Sequence, residues 1–133
     1  MTKVLLVEDD PLIADLYTTI LEVDKFAVET ITEGAETLGH ALKNLPDLIV
    51  LDLMMPHTSG FEVLEALKAE EKTKDIPVII FSNLLDSAIE KEVIDKGAAR
   101  FAIKSDYPPG RFIALVKEVL ETSKEEDEGK EPG

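Results

Sequence analysis

Short, nearly unbroken apolar runs alternate along this chain with longer segments in which apolar residues recur every three or four positions. The runs are Lys3–Val7 (KVLLV), Phe26–Ile31 (FAVETI), Asp47–Leu51 (DLIVL), Ile76–Phe81 (IPVIIF) and Phe101–Ile103 (FAI). Continuous aliphatic character over a few residues predicts strands covered on both faces, as in a parallel sheet. The second run is more polar, with Glu29 inside it, and is expected at a sheet edge. Pro77 is compatible with the fourth strand only near its start.

The segments between the runs predict helices. Asp10-Pro11 opens the first, an acid at the cap and proline at the position where no amide hydrogen is needed. It carries Leu12, Leu16 and Ile20, with Ile13, Tyr17 and Leu21 beside them, as a stripe to lay on the sheet. Gly34–Asn44 is expected to face inward through Ala35, Leu38, Leu42 and Leu45. Ser59-Gly60 starts a third helix through Phe61, Leu64 and Leu67, and Asp86 caps a fourth with Ile89, Val93 and Ile94, ending at Gly97. The last, from about Pro109, shows Phe112, Leu115, Val116, Val119 and Leu120 at i, i+3, i+4, i+7 and i+8. From Ser123 onward SKEEDEGKEPG has no apolar residue, so the expected division is a folded domain over 1–122 and a disordered acidic tail over 123–133. Strand and helix alternating five times give an α/β fold: a mostly parallel five-stranded sheet with helices on both faces and right-handed crossovers.

In such sheets ligands bind beyond the carboxyl ends of the strands. Glu8 and Asp9 follow the first strand, Asp52 the third, Ser82 the fourth and Lys104 the fifth, so acids, a hydroxyl and an ammonium are expected on one rim. Three carboxylates held close together repel one another unless a cation neutralises them. With no histidine or cysteine beside them, that cation is expected to be hard and oxygen-loving, and Mg2+ fits. Lys104 and Ser82 suit phosphoryl oxygens. The constellation describes formation of an aspartyl phosphate on Asp52, chemistry that needs mainly positioning and charge neutralisation.

Composition narrows the partners. In 133 residues, 28 acids against 14 bases leave a net charge of −14, which disfavours direct contact with nucleic acid. There is no cysteine, hence neither a disulfide framework nor a thiolate metal site. The apolar runs are too short for a signal or membrane segment, and a cytoplasmic location is expected.

These residues resemble the CheY-like receiver domain of two-component response regulators, over roughly Lys3 to Thr122. The motifs are VEDDP at Val7 to Pro11, D-x-x-M-P-x-x-x-G from Asp52 to Gly60, Ser82 and Lys104. The resemblance, not the periodicity, supplies a strand order of 2-1-3-4-5 in a flavodoxin-like sheet. It implies that Asp52 is the phosphoacceptor, served by Lys104 and Ser82. Asp9 would ligate Mg2+ directly, Glu8 through water and Met54 through its carbonyl, while Ser82 and Phe101 form a switch pair. It further implies a phosphoryl donor that is a histidine kinase or phosphotransfer protein, no catalysis beyond the domain's own phosphorylation and dephosphorylation, and output through helix four, strand five and helix five. On that face stand Lys91, Lys96, Arg100, Phe101, Tyr107 and Arg111, a basic and aromatic island on an acidic protein. No output domain follows in the sequence, so the expectation is a stand-alone regulator acting by protein contact, as a monomer or a phosphorylation-dependent dimer. The alternative is a receiver-like interaction scaffold that is not phosphorylated. Three departures from the family's pattern stand out: Ser105 where a proline usually follows the lysine, Asn83 where a small residue is common, and apolar Met54 and Leu84 at positions that tune dephosphorylation.

Overall fold

The computed structural model describes residues 1–84 and 86–129. Five strands, β1 (Lys3–Val7), β2 (Ala27–Ile31), β3 (Leu48–Leu51), β4 (Val78–Ser82) and β5 (Arg100–Ile103), form one parallel sheet in the order β2-β1-β3-β4-β5. Five α-helices connect and follow them: α1 (Pro11–Val23), α2 (Thr37–Asn44), α3 (Gly60–Ala69), α4 (Ser87–Asp95) and α5 (Pro109–Gly129). Short 3-10 turns precede α2 (Gly34–Glu36) and follow β5 (Lys104–Asp106). The α/β class, the strand order and the five helices agree with the sequence reading.

The period-two alternation of side chains sorts the strand residues into two cores. Leu5, Val7, Ile49, Leu51, Val78 and Ile80 meet Ala41 of α2, Val63, Leu64 and Leu67 of α3, and Val93 of α4. On the opposite face Val4, Leu6, Leu48, Val50, Ile79, Phe81 and Ala102 meet Leu21 of α1 and Phe112, Leu115, Val116 and Val119 of α5. β3 and β4 are buried along their whole length and β1 from Val4 onward, whereas β2 is only half-buried, as expected of an edge. Each fully buried aliphatic side chain contributes about 1.5–3 kcal/mol relative to exposure.

Helix starts follow the predicted caps. The Asp10 carboxylate accepts from the Leu12 and Ile13 amides, the Ser59 hydroxyl from Glu62, and the Asp86 carboxylate from Ala88. Gly97 has φ +107°, as a left-handed helix stop requires.

The helix faces are where the pattern misled. Leu12 and Leu16 are 81% and 52% exposed, whereas Tyr17, Ile20 and Leu21 of the expected stripe do face the core, joined by Ala14. Ala14 is small enough to bring the helix close to the sheet, which rotates the larger leucines outward. In the second helix Ala35 and Leu45 are exposed, and Thr37 and Ala41 are the buried positions. The first turn there is 3-10, which shifts the later residues around the axis relative to an α-helix begun at Gly34. Ile94 likewise faces outward at 42% exposure. Helix α5 runs on to Gly129, past the boundary expected at Thr122, because Lys and Glu continue a helix without needing an apolar face. The remainder of the expected tail, residues 130–133, lies outside the described residues. No helix among the described residues is long and apolar enough to cross a membrane.

Two glycines test this packing in opposite directions. A Cβ on Gly60 would stand 2.4 Å from the Asp52 carbonyl oxygen and 2.6 Å from Leu53 Cα, whereas on Gly39 it meets nothing within 4 Å. Urea denaturation is expected to show Gly60→Ala losing at least about 2 kcal/mol and Gly39→Ala gaining about 0.5–1 kcal/mol.

Candidate functional site

The sheet itself gathers the rim residues. Val7 lies opposite Leu51 in the β1–β3 register, so the next residues, Glu8 and Asp52, leave adjacent strands side by side. Both remain tied to the ladder: the Glu8 amide donates to the Ile31 carbonyl at 3.0 Å and the Asp52 amide to the Val7 carbonyl at 3.2 Å. On the other flank Ser82 pairs with Ile103, which puts Lys104 one step beyond the edge of β5.

Parity then decides which way each side chain leans. Glu8, Asp52 and Lys104 fall in step with Val4/Leu6, Leu48/Val50 and Ala102, the residues that face α1 and α5. Ser82 falls in step with Val78 and Ile80, toward the opposite core. The three charged groups meet accordingly. Lys104 Nζ donates to Glu8 Oε2 at 2.5 Å and to Asp52 Oδ2 at 3.1 Å, with the three side chains only 5–9% exposed. The remaining oxygens are also held, Glu8 Oε1 by the Asp10 amide at 3.2 Å and Asp52 Oδ1 by the Met54 amide at 3.1 Å.

Asp9 completes the group, since carboxylate oxygens of Glu8, Asp9 and Asp52 lie within 4.8 Å of one another. Burial pushes the Glu8 carboxyl above its usual range, opposed by the Lys104 hydrogen bond and reinforced by the negative charge of Asp52. For Lys104 burial works against the ammonium, but the hydrogen bond it donates to Glu8 and the charge of Asp52 prevail and raise its pKa. An all-oxygen donor set carrying more negative than positive charge is the chemistry a small hard divalent cation requires, so these residues fit Mg2+.

The remaining sequence-predicted positions divide. Ser82 is fully buried, and its hydroxyl oxygen accepts from the Leu84 amide at 3.4 Å. Phe101 is half-buried against the same core face, opposite Ile80 and thus one inward-facing residue behind Ser82. Met54 is 59% exposed. The Lys104-Ser105 bond is trans, and Lys104 reaches the acids from the first position of a 3-10 turn. Asn83 is exposed, while Leu84 packs on the core.

The expected basic island is largely neutralised. Lys91 pairs with Asp95 at 3.1 Å, Lys96 with Glu65 at 2.5 Å and Arg100 with Glu118 at 2.8 Å. Arg111 differs: its guanidinium lies 5.0 Å from the centre of the Tyr107 ring and donates to the Asp106 carbonyl at 3.1 Å.

Sequence reasoning missed an aromatic cluster on the α1/α5 face of the sheet, the face toward which Lys104 leans. Phe81 touches Tyr17 edge-on at 5.2 Å and packs on Phe112 at 4.9 Å, with Tyr107 at 6.5 Å. Burial raises the Tyr17 pKa against the field of Lys104. Tyr17 and Phe112 were legible only as helix-stripe residues, because no local spacing connects them with position 104. Away from the rim, His40 Nδ1 lies 2.8 Å from a Glu29 carboxylate oxygen on the edge strand.

Comparison with known proteins agrees with this fold. The profile of the family described as response regulator receiver domain matches residues 4–117. The DNA-binding dual master transcriptional regulator RpaA of Synechocystis is 36% identical over 120 residues, covering 90% of this chain and 49% of RpaA. The chain thus spans about half the length of that relative. The polar-differentiation response regulator DivK of Brucella abortus is 33% identical over 121 residues, covering 90% of this chain and 98% of DivK. Among solved structures, chemotaxis protein CheY4 of Vibrio cholerae superposes with a TM-score of 0.84 at 28% identity, covering 90% of this chain and 98% of CheY4.

Proposed function

The chain belongs to the response regulator receiver domain family of two-component signalling, and we propose that it accepts a phosphoryl group on Asp52 and signals through the resulting change in protein contacts. The observation that carries this reading is the Asp52 carboxylate, held by Lys104 and the Met54 amide beside two further acids at the carboxyl end of the sheet.

Each residue has a part in the transfer. An Asp52 carboxylate oxygen attacks phosphorus as the bond to the donor's histidine nitrogen breaks. Lys104, already within hydrogen-bond distance of Asp52, is placed to follow the phosphoryl oxygens as a mobile point charge. Ser82 supplies a hydroxyl donor from the adjacent strand, β4. Asp9 and Asp52 are the direct Mg2+ ligands of this reading, with the Met54 carbonyl as a backbone ligand and Glu8 in the surrounding shell. Bound there, Mg2+ would neutralise charge on the transferring group. When Ser82 is drawn toward the phosphoryl group, space opens behind it for Phe101, which shares its face of the sheet.

A histidine kinase or phosphotransfer protein is the donor class, and meeting it places the domain in the cytoplasm. DivK, matched along nearly its whole length, supports a free-standing regulator, whereas RpaA supports a receiver joined to an output domain. Phosphorylation-dependent contact serves either arrangement, as does a dimer formed on phosphorylation. The net charge of −14 favours a protein partner over nucleic acid. An unphosphorylated interaction scaffold is the weaker reading, because the acid set, the hydroxyl and the lysine are all present together.

Intact mass spectrometry after incubation with Mg2+ and a small acyl-phosphate donor is expected to show one added phosphoryl group, absent with chelator and in Asp52→Asn. An adduct of equal yield in Asp52→Asn would move the acceptor elsewhere. For the output face, Arg111 is the cation best placed to meet an acidic partner, since Lys91, Lys96 and Arg100 are already paired within the domain. Charge reversal at Arg111 is expected to weaken binding of the regulated partner by about tenfold, whereas unchanged affinity would remove this face from the interface.

A further inference from the structure

At the end of the sheet opposite the acid rim, Lys68 carries a half-buried ammonium with no carboxylate partner among the described residues. It stands in the last turn of α3, and its Nζ donates to the Lys74 carbonyl at 2.9 Å and the Ile76 carbonyl at 2.8 Å. Its stem is held too. A Cβ on Gly97 would stand 3.2 Å from Lys68 Cγ, so the side chain lies against the α4–β5 turn. Lys68 lines a cavity of about 420 Å3 with Lys74, Arg100, Thr122 and Ser123, and Asp75 is the single acid in that lining among the described residues. We infer that this cavity is a binding site for a small phosphate-bearing molecule, with Lys68 and Arg100 holding the phosphate and the organic part lying along Pro77 and Val119. The site needs neither Asp52 nor Mg2+, so it stands apart from the phosphoacceptor reading.

The argument begins with unspent donors. An ammonium has three N–H groups, and two carbonyls leave one of those of Lys68 over. Carbonyl dipoles offset only part of the cost of withdrawing a charge from water, which an anion offsets more fully. Burial accordingly pushes the Lys68 pKa down, opposed by the charge of Asp75. Arg100 spends one guanidinium N–H on Glu118 at 2.8 Å and keeps others, in the planar fork that suits two phosphate oxygens. On a chain of net charge −14, three cations around one cavity are what a phosphate needs to approach at all. The volume exceeds what a bare phosphate fills and falls within the range of small-molecule sites. Pro77 and Val119 supply apolar wall for the remainder.

Titration of the full chain, followed by 1H–15N spectra, tests the site. Inorganic phosphate and glycerol phosphate are added without Mg2+, with sodium chloride at matched ionic strength as the control. The amides of Gly97, Ala99 and Arg100 are expected to shift saturably with both phosphates and not with chloride, while those of Glu8 and Asp52 stay in place. Glycerol phosphate is expected to bind more tightly, because its carbon skeleton also covers apolar wall. Shifts no larger than those with chloride overturn the site. Equal or weaker binding of the ester overturns the assignment to an organic phosphate in favour of the free ion.

Two variants separate a binding site from a lysine that only staples α3 to the following connection. Lys68→Met keeps an apolar stem against Gly97, removes the ammonium and is expected to weaken glycerol phosphate binding by at least about tenfold. It also leaves the Lys74 and Ile76 carbonyls without their donor, which costs stability. Arg100→Gln leaves those two bonds intact and is therefore measured beside it, with a loss of about fivefold to tenfold expected. Affinity unchanged in Arg100→Gln, or in a folded Lys68→Met, overturns the site.

Discussion

The contact on which the site depends is the bridge from Lys104 to Glu8 and Asp52. Three carboxylates gathered at one end of a sheet repel one another, and two of them are almost completely withdrawn from water. Burial of a carboxylate is costly unless it is paired and hydrogen-bonded. Here each oxygen of Glu8 and Asp52 has a partner, two of them backbone amides and two shared by a single ammonium. One cation does not balance three acids, so the site retains an excess of negative charge and with it an attraction for a divalent ion.

The sheet makes that gathering possible. Parallel strands in register end together, and β1, β3, β4 and β5 deliver their following residues to one edge. The two-residue side-chain period then separates the work. Charged groups lean to the face of α1 and α5, while Ser82 and Phe101 lean to the face of α2, α3 and α4. In this arrangement the proposed chemistry on Asp52 would reach the proposed output face through Ser82 without rearranging the acids. Gly60 belongs to the same design, because its missing side chain lets the start of α3 press against the Asp52 carbonyl.

Much of this was legible in the sequence. Unbroken aliphatic runs marked the buried strands, and the residue after each run marked the rim, because a polar side chain directly after a buried strand has few places to go. Caps at Asp10, Ser59 and Asp86 were equally local and were found. The faces of α1 and α2 were not, because burial there is decided by how closely a helix approaches the sheet, and Ala14 and Ala41 set that distance more than Leu12 or Leu45 does. The pairing of Lys91, Lys96 and Arg100 was hidden for a related reason. Only Asp95 is a near neighbour in sequence, whereas Glu65 and Glu118 come from other helices. The Glu8–Lys104 contact joins residues 96 positions apart, and no local pattern announces it.

An acyl phosphate on Asp52 is the claim on which the functional reading turns, and reductive trapping locates it directly. Borohydride converts a phosphorylated aspartate to homoserine, which peptide mapping reads as a mass change at a single residue. After phosphorylation in the presence of Mg2+, homoserine is expected at position 52 alone. Homoserine at Asp9 or at another acid, with Asp52 unmodified, would contradict the assignment of the phosphoacceptor.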